Sequence, residues 1–424
     1  SILLAIVLVA VSVRSAARQE EHAGPSRWIE RLPPGSQFDL SLWQRPFAVS
    51  PDGNRIAYVA QDSSGNRLYV RNLNDHQAFV VPNTLGAGNP FFSPDGDWLA
   101  FFADGKLQKV STGGGNPLVI CEMSLLTAGA HWGTNDTILF AGVPNGIFRV
   151  AANGGTPERL TTPNVLAGEY VHSWPQALPD GKTVLFTVGT TLALLDLETM
   201  NWETFDAVGE VNLARFLSSG FLLFIQGGLL RSVRFDVDEL AVAGTPQVVR
   251  DSIVVPGFGT NVYFDASNNG VLLFLREDAA DRKLVWVDRT GAVTQLPTES
   301  APFLRPQLSP GGSKLAVGRP TEHGYGWDAW VYETADGTGR PLQVGTTAYE
   351  PIWSRDGERV TFGFGPLSAG IGSMRADGIG GLDTVWSGET RWQHSWSPDG
   401  VLAGYGVSEN GDRDIWHLDV SGGG

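Results

Sequence analysis

Seven side chains in this 424-residue sequence stand where chemistry could gather: His131, His172, Trp174, Arg305, Glu350, Trp392 and His394. Imidazole, guanidinium and carboxylate groups hold ions and protons, and indole adds a large apolar face with a single donor. Their spacing matches no catalytic or metal motif. The seven histidines show no H-E-x-x-H or Cys/His pattern. Gly181-Lys182-Thr183 resembles the end of a phosphate-binding loop, but Gln176 stands where its first Gly is needed. Pro366–Gly370 likewise lacks the first Gly of a nucleophile elbow. The single Cys121 excludes an internal disulfide and a thiolate metal site. The sequence therefore points to recognition, with no catalytic residue, metal or cofactor expected.

The elements that position these side chains come from a repeat. Asn89–Gly115 (NPFFSPDGDWLAFFADGKLQKVSTGGG) is typical: short apolar strand, Pro-Asp-Gly turn, second strand, polar hairpin, third strand. Pro94 pre-sets φ near −65°, Asp95 can bond its own backbone, and Gly96 accepts φ > 0. Equivalent glycines fall at Gly53, Gly96, Gly181, Gly220, Gly270, Gly312, Gly357 and Gly400. Neighbouring ones are 39–50 residues apart, except that Gly96 and Gly181 enclose two units, the turn between them being Gly133-Thr134-Asn135-Asp136. Nine units of about 40–45 residues, each with four short strands, predict an all-β chain of β-propeller blades. The seven candidate residues precede or lie in the first strands, which line the channel of a propeller, and convergent polar and aromatic groups at such a mouth form a ligand site. The turn carboxylates Asp52, Asp95, Asp180, Asp356 and Asp399 are read as structural, each bonding local N–H groups.

Composition narrows the setting. With 53 Gly, 25 Pro and 14 Trp, the chain suits many short strands joined by tight turns. A net charge of −15 argues against a nucleic-acid partner and makes a cationic peptide or protein surface, rather than an anion, the expected partner. Residues 1–20 open on an unbroken apolar run, Ser1–Val13, read as the end of a transmembrane helix or a signal segment. A buried strand is the third reading, set behind the others because nothing in the run alternates. Residues 21–47 read as a linker with a possible closing strand, Trp28–Leu32. Single propellers close with four to eight blades. Nine units therefore divide near residue 282: a six-bladed propeller over 48–282, then three blades of a second over 283–424.

Ser50-Pro51-Asp52-Gly53, Ser93-Pro94-Asp95-Gly96 and Ser397-Pro398-Asp399-Gly400 resemble the repeats of TolB-like propellers. The order of Leu32–Gly35, Asn89–Gly115, His172–Thr187, Leu284–Pro297 and Asp414–Leu418 is similar to the extracytoplasmic half of acidobacterial-type membrane serine/threonine protein kinases. That resemblance implies a non-catalytic sensor or protein-interaction region, membrane-anchored outside the cytoplasm, whose kinase domain lies beyond this chain. The same repeats occur in the propellers of prolyl-oligopeptidase-type serine peptidases and in free periplasmic TolB-like proteins, which are the alternatives.

Overall fold

The Ser-Pro-Asp-Gly turns set the strand ends by a repeated local network. In the first, Ser50 Oγ donates to Asp52 Oδ1 and accepts from the Arg55 N–H, while Asp52 Oδ1 also accepts from the Asn54 N–H. Ser93, Asp95 and Trp98 repeat it, and Ser354, Asp356 and Arg359 repeat it again. The Ser93 hydroxyl is the first of the hydrogen bonds that hold the Asp95 carboxyl below its usual range. All eight turn glycines lie at positive φ, between 68° and 93°. Gly96, at φ 77°, sits in the region that β-carbon-bearing residues disfavour.

The computed structural model describes residues 3–8, 27–33, 36–38, 45–75, 77–123, 126–143, 145–164, 169, 171–205, 208–211, 213–250, 264–275, 282–321, 327–342, 345, 347–365, 370–388, 391–397, 399–407 and 413–419. Among these, every regular element is a strand. The chain divides into two compact units, residues 1–255 with 259–279, and 256–258 with 280–424.

The first unit holds six four-stranded antiparallel sheets. Their innermost strands are Phe47–Val49, Gly88–Phe92, Leu126–Trp132, His172–Ala177, Ala214–Leu217 and Phe264–Ala266. Blades one to five are built from consecutive strands. Blade six is not: Phe264–Ala266 and Val271–Phe274 are completed by Leu3–Leu8 and then Arg27–Arg31. Leu3–Leu8, within the apolar run expected as the end of a membrane helix or a signal segment, is a strand here and pairs with both neighbours. No helix among the described residues is long and apolar enough to cross a membrane.

The ring closes where blade six meets blade one. Val49 N–H donates to Asp265 Oδ2 at 2.9 Å, and Asn268 N–H donates to the Pro51 carbonyl at 3.0 Å. Apolar contacts cement neighbouring blades: Ala57, Val59 and Leu68 of the first pack with Phe92, Leu99 and Phe101 of the second. Phe91 and Leu107 of the second pack with Trp132 and Phe140 of the third. Each such fully buried aromatic contributes about 1.5–3 kcal/mol.

The second unit, taken by itself, has three sheets whose inner strands are Leu304–Leu308, Ala348–Trp353 and Arg391–Trp396. The first two sheets are four-stranded and the third shows three strands among the described residues. A two-stranded hairpin, Val285–Val287 with Val293–Gln295, precedes them.

Candidate functional site

Five of the nine inner strands share a backbone irregularity, a register shift with one residue at positive φ. Pairing with the second strand shifts at Gly88/Phe91, Thr127/Ala130, Ser173/Gln176, Leu304/Gln307 and Tyr349/Ile352. At each bulge one residue takes a left-handed backbone: Asn89 (φ 49°), Gly129 (96°), Trp174 (53°), Arg305 (47°) and Glu350 (51°). Such a φ is unusual for side chains as bulky as Trp, Arg and Glu and costs on the order of 1–3 kcal/mol each. The four non-glycine residues each precede a proline, which has no N–H to offer the ladder and is confined in sheets to edges and bulges. The bulge re-aims the side chains around it.

In the first unit these bulges surround an axial cluster fed by five inner strands and by the residue two places before the sixth. One register position recurs in it. His131, Gln176, Arg215 and Asp265 pair with Leu139, Leu185, Leu223 and Leu273 of their second strands. Each then bonds the backbone of the next blade, one residue past the equivalent position. Ala177 N–H donates to His131 Nδ1 at 3.3 Å. Gln176 exchanges two bonds with the Phe216 backbone at 2.8 and 2.9 Å. Arg215 Nε donates to the Ala266 carbonyl at 3.1 Å, and Asp265 Oδ2 takes the Val49 N–H. Arg45, just before the first inner strand, completes the centre. Its N–H donates to Asn89 Oδ1, its guanidinium ion-pairs with Asp265 at 3.3 Å, and it lies 6.0 Å from the Trp174 ring of blade four. Arg215 reaches the same Asp265 oxygen at 2.9 Å.

Charge follows from this packing. Burial depresses the Arg45 pKa; Asp265 works against that and Arg215 adds to it. His131 is pushed down to about 3, by burial first and then by Arg215 and Arg45. Its ring is therefore neutral at ordinary pH. Because Nδ1 accepts from Ala177, the proton sits on Nε2.

Of the residues singled out from sequence, His131 and Trp174 join this cluster, but Trp174 is buried, packed with Leu213, Leu223, Phe264 and Phe274. His172 departs from the expected channel position. Its ring lies within the blade against Phe186 and Trp202, its Nδ1 pairs with Thr161 Oγ1 at 2.8 Å, and Glu169 is 3.7 Å from Nε2. Burial lowers its pKa to about 4, against a smaller opposing effect of Glu169.

In the second unit Arg305, Glu350 and His394 come together from three adjacent inner strands. Arg305 Nη2 and Glu350 Oε1 are 3.0 Å apart. Burial raises the Glu350 pKa, against Arg305 and then His394. Gln393 Nε2 donates to the Tyr349 and Glu350 carbonyls at 3.1 and 2.8 Å. Glu350 Oε2 and Gln393 Oε1 are buried with no hydrogen-bond partner among the described residues. Trp392 stacks on Tyr405 at 5.0 Å, and His394 stacks on the same ring at 5.2 Å. A separate open groove of about 480 Å³, lined by Ser354, Asp356, Trp396, Ser397 and their neighbours, holds none of the seven.

Sequence reasoning missed Arg45, Asn89, Arg215 and Asp265. Arg45-Pro46 and Asn89-Pro90 share the X-Pro signal of Trp174-Pro175, Arg305-Pro306 and Glu350-Pro351 and were findable. Arg215 and Asp265 carry no such mark.

No protein-family model matches the chain, and no curated protein matches it. Solved structures similar to it include β-propeller domains. The Dos1 propeller is 12% identical over 90% of this chain and 93% of that one, with a TM-score of 0.37. The Myceliophteria thermophila Cps50 (Swd1) β-propeller domain is 12% identical over 77% and 94%, with a TM-score of 0.36. The GH74 enzyme of Niastella koreensis is 11% identical over 90% and 77%, with a TM-score of 0.40.

Proposed function

We propose that this chain is a non-catalytic binding module that recognises a protein or peptide at the axial mouths of its blades. The observation that carries this is the convergence of five inner strands of the first unit, and of the residue two places before the sixth, on Arg45, Asn89, His131, Trp174, Arg215 and Asp265. Strained backbone at Asn89 and Trp174 supports the reading, since such strain gathers where ligands are held. The titratable groups are already committed to one another. Asp265 accepts from two backbone N–H groups and faces two guanidiniums, and His131 Nδ1 is occupied. Neither is placed to serve as a general base.

The finer role, sensing for a membrane serine/threonine protein kinase from outside the cytoplasm, rests on the resemblance in segment order. Membrane anchoring belongs to the same resemblance, with Leu3–Leu8 of the apolar run serving as a blade strand. Two measurements test the proposal. Purified chain is expected to turn over neither nucleotides nor peptides; activity that tracks the protein through purification would overturn the non-catalytic reading. Reading the encoding frame on both sides is expected to show a kinase domain upstream. A G-x-S-x-G hydrolase domain downstream would replace the kinase role with that of a peptidase propeller.

A further inference from the structure

We propose that the axial cluster of the first unit binds a carboxylate group, carried by a small organic acid or by the end of a peptide. This rests on the binding-module reading and gives its ligand a chemical class. Arg45 and Arg215 share one partner oxygen, Asp265 Oδ1, at 3.3 and 2.9 Å. That oxygen also accepts the Ala266 N–H at 3.0 Å, and Oδ2 accepts the Val49 N–H at 2.9 Å. The carboxylate is filled. Among the described residues no other carboxylate lies within ion-pair reach of either guanidinium.

Among the described residues the sum is two positive charges against one negative, in a place where the Arg45 side chain is only 7% exposed and that of Arg215 23%. An uncompensated charge in such surroundings is costly, and a bound monoanion removes the cost. The donors suit a carboxylate. Guanidinium presents a planar fork that matches its two oxygens. His131 contributes a neutral ring whose free proton is on Nε2, and the Trp174 face gives an apolar wall beside Arg45. The surplus is one unit, which one carboxylate neutralises; a phosphate near two negative charges reverses the imbalance.

The site is opposite in sign to the chain, whose net charge is −15. A carboxylate ligand therefore finds a positive centre inside an acidic protein, which favours a small or terminal carboxylate over an extended acidic surface.

The test uses the full chain and calorimetric titration at constant ionic strength with acetate, acetamide, N-acetyltriglycine and inorganic phosphate. Acetate is expected to bind saturably and acetamide not at all. Similar affinity for acetate and the peptide assigns a free acid; a peptide at least tenfold tighter assigns a chain terminus. Arg45→Gln is expected to weaken acetate binding at least tenfold, with Arg45→Lys losing less because the charge is kept. Should Arg45→Gln not fold, Arg215→Gln carries the same expectation. The proposal is overturned if folded wild-type chain ignores acetate, binds acetamide equally, binds phosphate tenfold more tightly than acetate, or keeps its affinity in whichever glutamine variant folds. Those failures leave the turnover assays untouched, so the ligand class can fall while the binding-module reading stands.

Discussion

In the first unit the axial side chains are shared out between blades, whereas in the second they meet as one ion pair with acceptors to spare. Asp265 answers two arginines and two backbone donors, and its neighbours in register each bond the next blade. Glu350 answers one arginine, whose side chain is 44% exposed, and leaves Oε2 unpartnered among the described residues. The second unit keeps the device of bonding across blades, since Trp353 Nε1 donates to the Gln307 carbonyl at 2.8 Å and Gln393 Nε2 reaches back to Tyr349 and Glu350. What differs is the charge count. The charges of the first centre come from Arg45, Arg215 and Asp265, which lie outside the bulges, whereas Arg305 and Glu350 of the second sit at the bulges themselves.

The largest effect should come from Asp265→Ala. It strips the partner from two poorly exposed guanidiniums, and breaking such a pair costs about 3–5 kcal/mol. Urea unfolding of the full chain reads this. A loss under 1 kcal/mol would mean that Asp265 holds nothing together.

Gly129→Ala sharpens the same point through packing. A β-carbon there would lie 2.3 Å from Trp174 Cε3, at φ +96°. Backbone strain and overpacking together should cost roughly 2–4 kcal/mol. Full stability in the variant would show that Trp174 is not fixed over the axis.

Acid should act on the first unit through its two depressed histidines. The unfolded chain takes up a proton near pH 6.5, while folded His172 and His131 resist until about 4 and 3. Their stabilising effect is thus complete above pH 6.5 and is lost as pH falls toward those values. For His172, which is 1% exposed, the loss is roughly 2–3 kcal/mol. Stability measured at pH 7 and pH 4 should differ less in His172→Gln than in the parent; an equal difference refutes the assignment.

The smallest effect is expected for Glu350→Gln. Its arginine partner is 44% exposed and its own ionised form is already disfavoured by burial, so stability should change by less than about 1 kcal/mol. A loss matching that of Asp265→Ala would erase the contrast between the two centres.

Much of this was legible beforehand because it is local. The Ser50, Ser93 and Ser354 turns need only five or six residues to close their hydrogen bonds, so their glycines announced every blade they begin. The candidate set was legible in part. Arg305, Glu350 and His394 were named and come together, whereas His172 was expected at the channel and packs against Phe186 and Trp202. It points into the blade rather than at the axis.

Sequence by itself determined the repeat, the strand-and-turn plan of each blade and the all-β class, since each depends on contacts a few residues apart. The sequence offered Trp28–Leu32 as a possible closing strand, but tertiary structure alone decided that Leu3–Leu8 enters blade six between Arg27–Arg31 and Val271–Phe274. Backbone ladders accept any apolar strand of suitable length, so nothing in Leu3–Leu8 names Val271–Phe274 as its partner, some 265 residues away. It also decided the composition of the axial centre. Arg215 and Asp265 look like ordinary strand residues until six blades bring them within 2.9 Å, and only then does the balance of charge among Arg45, Arg215 and Asp265 exist.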